Sequence, residues 1–312
     1  MFENKEYVLA VYREGSFTKA AEKLYVSQPS LSATVKRIEE KISTPIFNRA
    51  TNPISLTEPG EEYVRYALEI EQNERDFQRY VSDYMNLVVG KIRIGGSSLF
   101  SSFVIPKLMA EFNLAYPKIQ VEIFEDSTKD LLHKLNLGAL DIVIDNVELH
   151  DDTLNANFYS SELLLLAVPK HLEINEKLKE FRLTAKEVKR EKHKNEKYSV
   201  ELEQFENELF VFLNPENNTG KKAEMIFKKH GISPKVGFYL DQQVTAYNVS
   251  CSGLGVTFIS DTLIKHIDAN PDLYYYRLTD KEMARKIHFY QKSNRYVSLA
   301  AQKFIEFFTN HE

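Results

Sequence analysis

The chain of 312 residues has no tryptophan, a single cysteine, ten prolines and eleven glycines. The lone Cys251 excludes an intrachain disulfide, and with it a redox switch that pairs two cysteines of one chain. The sequence predicts a thiol packed near the Gly253-Leu254-Gly255 turn. No stretch approaches the roughly 18 apolar residues of a membrane-spanning helix. The opening Met-Phe-Glu-Asn-Lys-Glu carries no apolar signal core. The expectation is a cytoplasmic protein with no membrane partner, not a secreted one. Strong basicity is also missing. Lys and Arg number 40 against 45 Asp and Glu, for a net charge of −5, and residues 1–60 hold eight Lys or Arg against seven Glu. Non-specific attraction to phosphates is then weak, and any affinity for nucleic acid must come from a local patch and from dimerisation.

Catalytic constellations are absent as well. His133, His150, His171, His193, His230, His266, His288 and His311 are scattered without metal-ligand spacing. There is no P-loop and no Gly-x-Ser-x-Gly elbow. Gly95-Gly96-Ser97-Ser98 follows a strand but lacks the dinucleotide-binding spacing. The sequence therefore points away from an enzyme, a cofactor or a metal.

What is present begins at residue 15. Phe17, Ala20, Ala21 and Leu24 recur at three- and four-residue steps and share one face of a short helix. Tyr25 and Val26 break the pattern. Ser27 sits where an N-cap belongs, and Pro29 falls in the first turn of the next helix, where a missing N–H does no harm. Leu31, Val35, Ile38 and Ile42 give this second helix a single apolar stripe. Its opposite face carries Gln28, Ser32, Ala33, Lys36 and, toward the edge, Arg37. Small polar residues at the helix N-terminus with basic ones a turn later suit a helix lying in a major groove. Gln28 can read adenine there, while Lys36, Arg37 and Arg49 are placed for phosphates. The candidate DNA-contacting set is Ser16, Thr18, Ser27, Gln28, Pro29, Ser32, Ala33, Lys36, Arg37 and Arg49.

The pattern from Gly15-Ser16-Phe17 through Ala20-Ala21, Leu24, Ser27-Gln28-Pro29, Leu31-Ser32, Val35, Ile38-Glu39, Pro45-Ile46-Phe47 and Arg49 to Leu56-Thr57-Glu58-Pro59-Gly60 resembles the LysR-type family of bacterial transcriptional regulators. The resemblance implies a winged helix-turn-helix DNA-binding domain over 1–58 and a double-stranded operator as partner. Many members carry Arg directly after the serine at position 32. Here Ala33 stands there, so base preference at that point is not carried over, and a thymine methyl is the most it can touch.

Thr57 can cap a third long helix, with Glu58, Glu61 and Glu62 in the first turns. Tyr63, Ile70, Phe77 and Tyr84 repeat every seven residues, and Tyr66, Asn73 and Tyr80 follow three positions later. This heptad seam predicts a self-complementary contact through Tyr63, Tyr66, Ile70, Phe77, Tyr80 and Tyr84. The resemblance agrees, implying a linker and dimerisation helix over 59–89 and a homodimer or homotetramer on a pseudo-palindromic operator.

After Gly90 strands and helices alternate, which predicts an α/β sheet of parallel strands. Strands fall at Lys91–Gly95, Ile119–Phe124, Asp141–Ile144, Leu163–Val168, Leu209–Leu213, Val236–Leu240, Val256–Ile259 and Ile287–Tyr290. The overall class is α+β multidomain. The resemblance, more weakly here, implies a periplasmic-binding-protein-like effector domain over 90–312. Its first lobe takes about 91–160 and 270–312, its second about 161–269, and a small-molecule effector binds between them. The Lys- and Glu-rich segment Thr184–Glu208 predicts an exposed insertion.

Ligands in open α/β sheets sit at the carboxyl ends of strands, near helix N-termini. By that rule the effector-binding candidates are Ser97, Ser98, Thr128, Asp145, Asn146, Asn214, Thr219, Asp241 and Gln242. Hydroxyls and helix amides suit an anion, the commonest effector type in the family. Against that, Asp145 and Asp241 would repel an anion if both faced the cleft. A metabolite-binding module whose helical head contacts protein instead of DNA is the alternative.

Overall fold

A computed structural model of the chain describes residues 1–51, 53–84, 90–149 and 151–309, in two compact units, Met1–Leu87 and Val88–Glu312. Residues 85–89 of the expected linker, with His150 and His311, lie outside the described residues.

The first unit packs α1 (Lys5–Glu14), α2 (Phe17–Lys23) and α3 (Gln28–Ile42) beside a short wing, β1 (Phe47–Asn48) paired antiparallel with β2 (Ser55–Leu56), and continues into α4 (Glu58–Tyr84). Serines start the two central helices: Ser16 accepts from the Lys19 amide and Ser27 from the Ser30 amide, each at 3.4 Å. Leu31, Val35 and Ile38 on α3 are buried with Ala20 and Ala21 on α2 and Val8, Leu9 and Val11 on α1. Each large side chain so buried contributes about 1.5–3 kcal/mol. The small alanines let the helices cross closely. At the start of α4 the Thr57 hydroxyl accepts from the Gly60 amide and lies 2.7 Å from the Pro45 carbonyl, to which it donates. A Cβ on Gly60 would stand 2.0 Å from the Ile46 carbonyl oxygen, so only glycine allows helix and wing to meet there.

The expected seam on α4 divides. Tyr63 is buried, stacked on Phe2 with ring centres 4.8 Å apart, and its hydroxyl donates to the Met1 carbonyl. Burial, and then the nearby Glu6 charge, push its phenol up to about 12. It belongs to the core of its own unit and not to a seam, because α1 and the N-terminal residues cover the first turns of α4. Ile70 is half-buried. Tyr66, Phe77 and Tyr80 are exposed, and so is Val81, which the heptad reading missed. The Tyr84 side chain lies outside what the structure describes. Lys5–Glu74 (2.9 Å) and Arg13–Glu71 (2.7 Å) tie α1 to the middle of α4.

The second unit comprises β3 (Gly90–Gly96), α5 (Ile105–Ala115), β4 (Ile119–Glu125), α6 (Thr128–Asn136), β5 (Ile142–Asp145), β6 (Leu154–Pro169), α7 (Ile174–Lys177), α8 (Ala185–Lys189), β7 (Ser199–Val200), β8 (Leu209–Leu213), α9 (Asn218–Lys229), β9 (Lys235–Leu240), α10 (Gln243–Cys251), β10 (Val256–Ser260), α11 (Asp261–His266), β11 (Leu273–Leu278), β12 (Ala284–Lys292) and α12 (Leu299–Thr309). Strand order is β4-β3-β5-β12-β6-β10-β8-β9, with β11 on β6 and β7 on β11. The sheet is mixed, not parallel throughout: β12 runs antiparallel to β5 and β6, and β10 and β11 antiparallel to β6. Strand β6 is one continuous run. Residues 154–163 pair with β12, while 164–169 pair with β10 and β11. It therefore serves two lobes with separate cores, one around Ile94, Phe112, Phe289 and Phe304, the other around Leu166, Phe210, Phe227 and Phe258.

Two expectations need correction. The sequence places about 270–312 in the first lobe, yet Leu273–Arg277 pair with Leu165–Pro169, and Arg277–Leu278 with Ser199–Val200, of the second, and the return falls between Leu278 and Ala284. The Thr184–Glu208 segment is not an exposed insertion. Val188, His193, Val200, Leu202 and Phe205 are buried, and β7 extends the second sheet. Its Lys and Glu residues cover an apolar underside that composition alone conceals.

Candidate functional site

On the head, the apolar stripe of α3 faces inward and turns the other side out. Gln28, Pro29, Ala33, Lys36 and Arg37 are exposed, with Thr18 exposed on α2 and Ser32 half-buried. Lys36 has only a loose approach to Glu40, at 3.9 Å, and the Arg37 Nε lies 3.4 Å from the Ala33 carbonyl. Neither contact holds its cation strongly at this exposure. The hydroxyls of Ser16 and Ser27 are occupied as caps. Arg49 is more constrained. Its Nη2 bonds Glu39 Oε2 at 3.0 Å, and its guanidinium lies 5.2 Å from the centre of the Phe17 ring. The other oxygen of Glu39 accepts from the Ile46 and Phe47 amides. Glu39 thus fixes where the wing leaves α3 and aims Arg49 beside it.

In the second unit all nine sequence-derived candidates, Ser97, Ser98, Thr128, Asp145, Asn146, Asn214, Thr219, Asp241 and Gln242, line one cleft of about 450 Å³. That size is within the ~300–1,000 Å³ of small-molecule sites. The strand-end residues come together because strand ends β3, β4 and β5 of one lobe face β8 and β9 of the other. Residues it missed also line the cleft: Leu99, Glu125, Asp126, Ser127, Glu216, Asn217, Asn218 and Gln243. They are sequence neighbours of the candidates, so widening around each one by three residues would have found them.

The cleft walls are held by polar contacts. Asn218 Nδ2 reaches across the lobes to Asn146 Oδ1 at 2.9 Å. Thr128 donates to Asp145 at 2.8 Å, and the Val147 amide donates to the other oxygen of that carboxyl. Burial pushes Asp145 upward, opposed by these hydrogen bonds. Asn214 donates to Asp241. Asp126 pairs with Lys134 at 2.6 Å, and the lysine with the Ser127 amide holds its carboxyl below the usual range.

Beneath the cleft lies an ion pair no local pattern signals. Arg285 on β12 meets Glu162 on β6 at 2.5 Å, both fully buried. Arg285 also donates to the Thr219 hydroxyl at 3.0 Å, which accepts from Gln243 as well. Glu162 accepts from Asn146 and from Ser260, and Gln243 accepts from the Ser260 amide. The network joins the starts of α9 and α10 in one lobe to the end of β5 in the other. Such hydrogen bonds offset the cost of burying a charge pair, although the buried Arg285 Nε has no hydrogen-bond partner. Among the described residues no group of His, Cys, Asp and Glu could hold a metal ion, and no helix is long and apolar enough to cross a membrane. Cys251 is half-buried, and burial raises its thiol.

Both units match known families. Residues 2–61 match the bacterial regulatory helix-turn-helix protein family of lysR type, and residues 86–312 match the LysR substrate binding domain. Among curated relatives, an HTH-type transcriptional regulator of Bacillus subtilis (strain 168), YcgK, is 27% identical over 301 residues, covering 96% of this chain and 91% of its own. Among solved structures, full-length CbnR in complex with its target DNA has a TM-score of 0.66 at 16% identity, with 99% of each chain covered. A full-length OxyR variant from Pseudomonas aeruginosa has a TM-score of 0.71 at 18% identity, covering 99% of this chain and 93% of that one. These two likenesses concern the fold. The chain belongs to the LysR family, as a DNA-binding transcriptional regulator whose second unit is an effector-binding domain.

Proposed function

We propose that the outward side of α3 enters the major groove of an operator half-site. One observation carries this reading: Gln28, Ala33 and Lys36 are exposed on the face opposite the buried Leu31, Val35 and Ile38. Gln28, Ser32 and Ala33 meet base edges, while Lys36, Arg37 and Arg49 meet phosphates, with Thr18 at the flank. Ser16, Ser27 and Pro29 place the helix ends. The exposed Tyr66, Phe77, Tyr80 and Val81 of α4, with Ile70, pair two chains, so that a homodimer or homotetramer spans two half-sites of a pseudo-palindromic operator in the cytoplasm. The chain acts as a regulator and not as an enzyme.

The cleft receives a small molecule and shifts the population of lobe arrangements, because a ligand touching both lobes binds one arrangement better than another. The test is fluorescence anisotropy on labelled DNA from the chain's own promoter region. Binding that weakens steeply with salt, and that Gln28→Ala with Ser32→Ala abolishes, is the expected outcome. Equal binding by parent and double variant would sink the assignment of α3.

A further inference from the structure

We propose that the effector carries a positive charge, an ammonium or guanidinium group, and that the cleft selects against anions. This rests on the cleft being the effector site, and it concerns the ligand's chemical class.

Three helices open on the cleft, α6, α9 and α10, with Ser127, Asn217 and Gln242 at their N-cap positions. Helix N-termini ordinarily attract anions. Here each is preceded directly by an acid that lines the same cleft: Asp126 before Ser127, Glu216 before Asn217, Asp241 before Gln242. The chain has thus placed its own carboxylate where an anionic ligand would otherwise gain most. A helix end is worth about half an elementary charge, whereas each carboxylate carries a full one. Side chains also occupy amides at two of the ends, with Ser127 accepting from Asp130 and Asn217 from Thr219.

Glu125 adds a further carboxylate to the wall, and Asp145 lies at its base. No Lys, Arg or His lines the cleft among the described residues. Three cations beside the cleft are committed elsewhere: Arg285 to Glu162 and Thr219 beneath the floor, Lys134 to Asp126, and Lys222 to the Glu282 carbonyl. Lys134 offsets one carboxylate, which leaves Glu125, Glu216 and Asp241 in excess over the helix ends. The family's usual anion would meet the exposed Asp241 carboxylate, while Asp145 is buried and held by Thr128 and the Val147 amide, so its charge is not counted.

The experiment is thermal unfolding of the full chain with three sets of probes: arginine, lysine and diaminobutane; succinate, citrate and inorganic phosphate; glucose and glycerol. The parent is compared with Glu216→Gln and with Glu216→Gln/Asp241→Asn, both sites being exposed. A member of the first set should raise the melting point, and its apparent affinity should fall at least tenfold in the double variant. Should the double variant not fold, the Glu216→Gln comparison decides by a smaller loss of the same sign. A shift by an acid or phosphate that grows in the variants keeps the cleft as effector site but overturns the charge. A cation shift that the variants leave unchanged overturns it too, placing the ligand elsewhere. No shift by any probe in any form overturns both the charge and the cleft reading.

Discussion

The head and the effector domain solve opposite problems with the same polar residues. On α3 apolar packing sets which face turns outward, and Gln28, Ala33 and Lys36 stand in solvent with little holding them. In the cleft many of the polar side chains are already bonded to others, as Thr219 is to Arg285 and Gln243. A surface that must meet a large, hydrated, charged partner gains from side chains free to adjust. A cleft that must report a small ligand gains from side chains whose movement disturbs something else. Mutations should therefore separate function from stability in the head and couple them in the cleft.

The largest effect should fall beneath the cleft. Arg285→Met leaves Glu162 as an uncompensated buried charge and should cost about 3–5 kcal/mol, read by urea unfolding. Adding Glu162→Leu should recover most of that loss. If the single variant costs less than about 1 kcal/mol, the pair does not hold the lobes together.

Next comes Gly60→Ala. Its Cβ would collide with the Ile46 carbonyl, and displacing backbone should cost the head about 3 kcal/mol. Melting followed on the isolated change, with the wing's amide exchange as a second readout, tests whether packing alone carries this unit.

Smaller still, Gln28→Ala should weaken operator binding by about 1–3 kcal/mol and relax preference at one base pair, while the melting point stays put. Lys36→Ala should weaken all DNA alike and lower the salt slope by about one. A drop in melting point with either would erase the proposed contrast between head and cleft.

The smallest effect is on pH dependence. His230, at the end of α9, lies 3.0 Å from Asp280 and 2.7 Å from Glu203. The Asp280 hydrogen bond first, then that of Glu203, holds its imidazole above its ordinary value near 6.5. A raised folded-state value means the contribution is complete below that ordinary value and disappears as pH rises through the raised one. The stability difference between parent and His230→Asn should shrink across that window. A difference that grows with pH reverses the sign and refutes the pairing.

Much of this was readable in the sequence, for reasons tied to particular residues. The head's helices follow from local signals, since Ser27, Pro29 and the Leu31–Val35–Ile38 stripe sit within one another's reach. The cleft residues followed from topology, because strand ends are where loops and helix starts must gather. What was not readable is long-range. Nothing near Glu162 announces Arg285, and nothing near Tyr63 announces that Phe2 will cover it. The heptad count cannot distinguish a side chain buried by its own domain from one awaiting a partner. The Thr184–Glu208 segment shows the same weakness of composition, as its charges are counted and its Val188, Leu202 and Phe205 are overlooked.

Strand β6 has a mechanical consequence. A sixteen-residue ribbon laced to neighbours along both halves bends as a stiff spring and not as a joint. A twist between its two halves is then resisted along the whole ribbon, so it stays shallow and springs back once the force is gone.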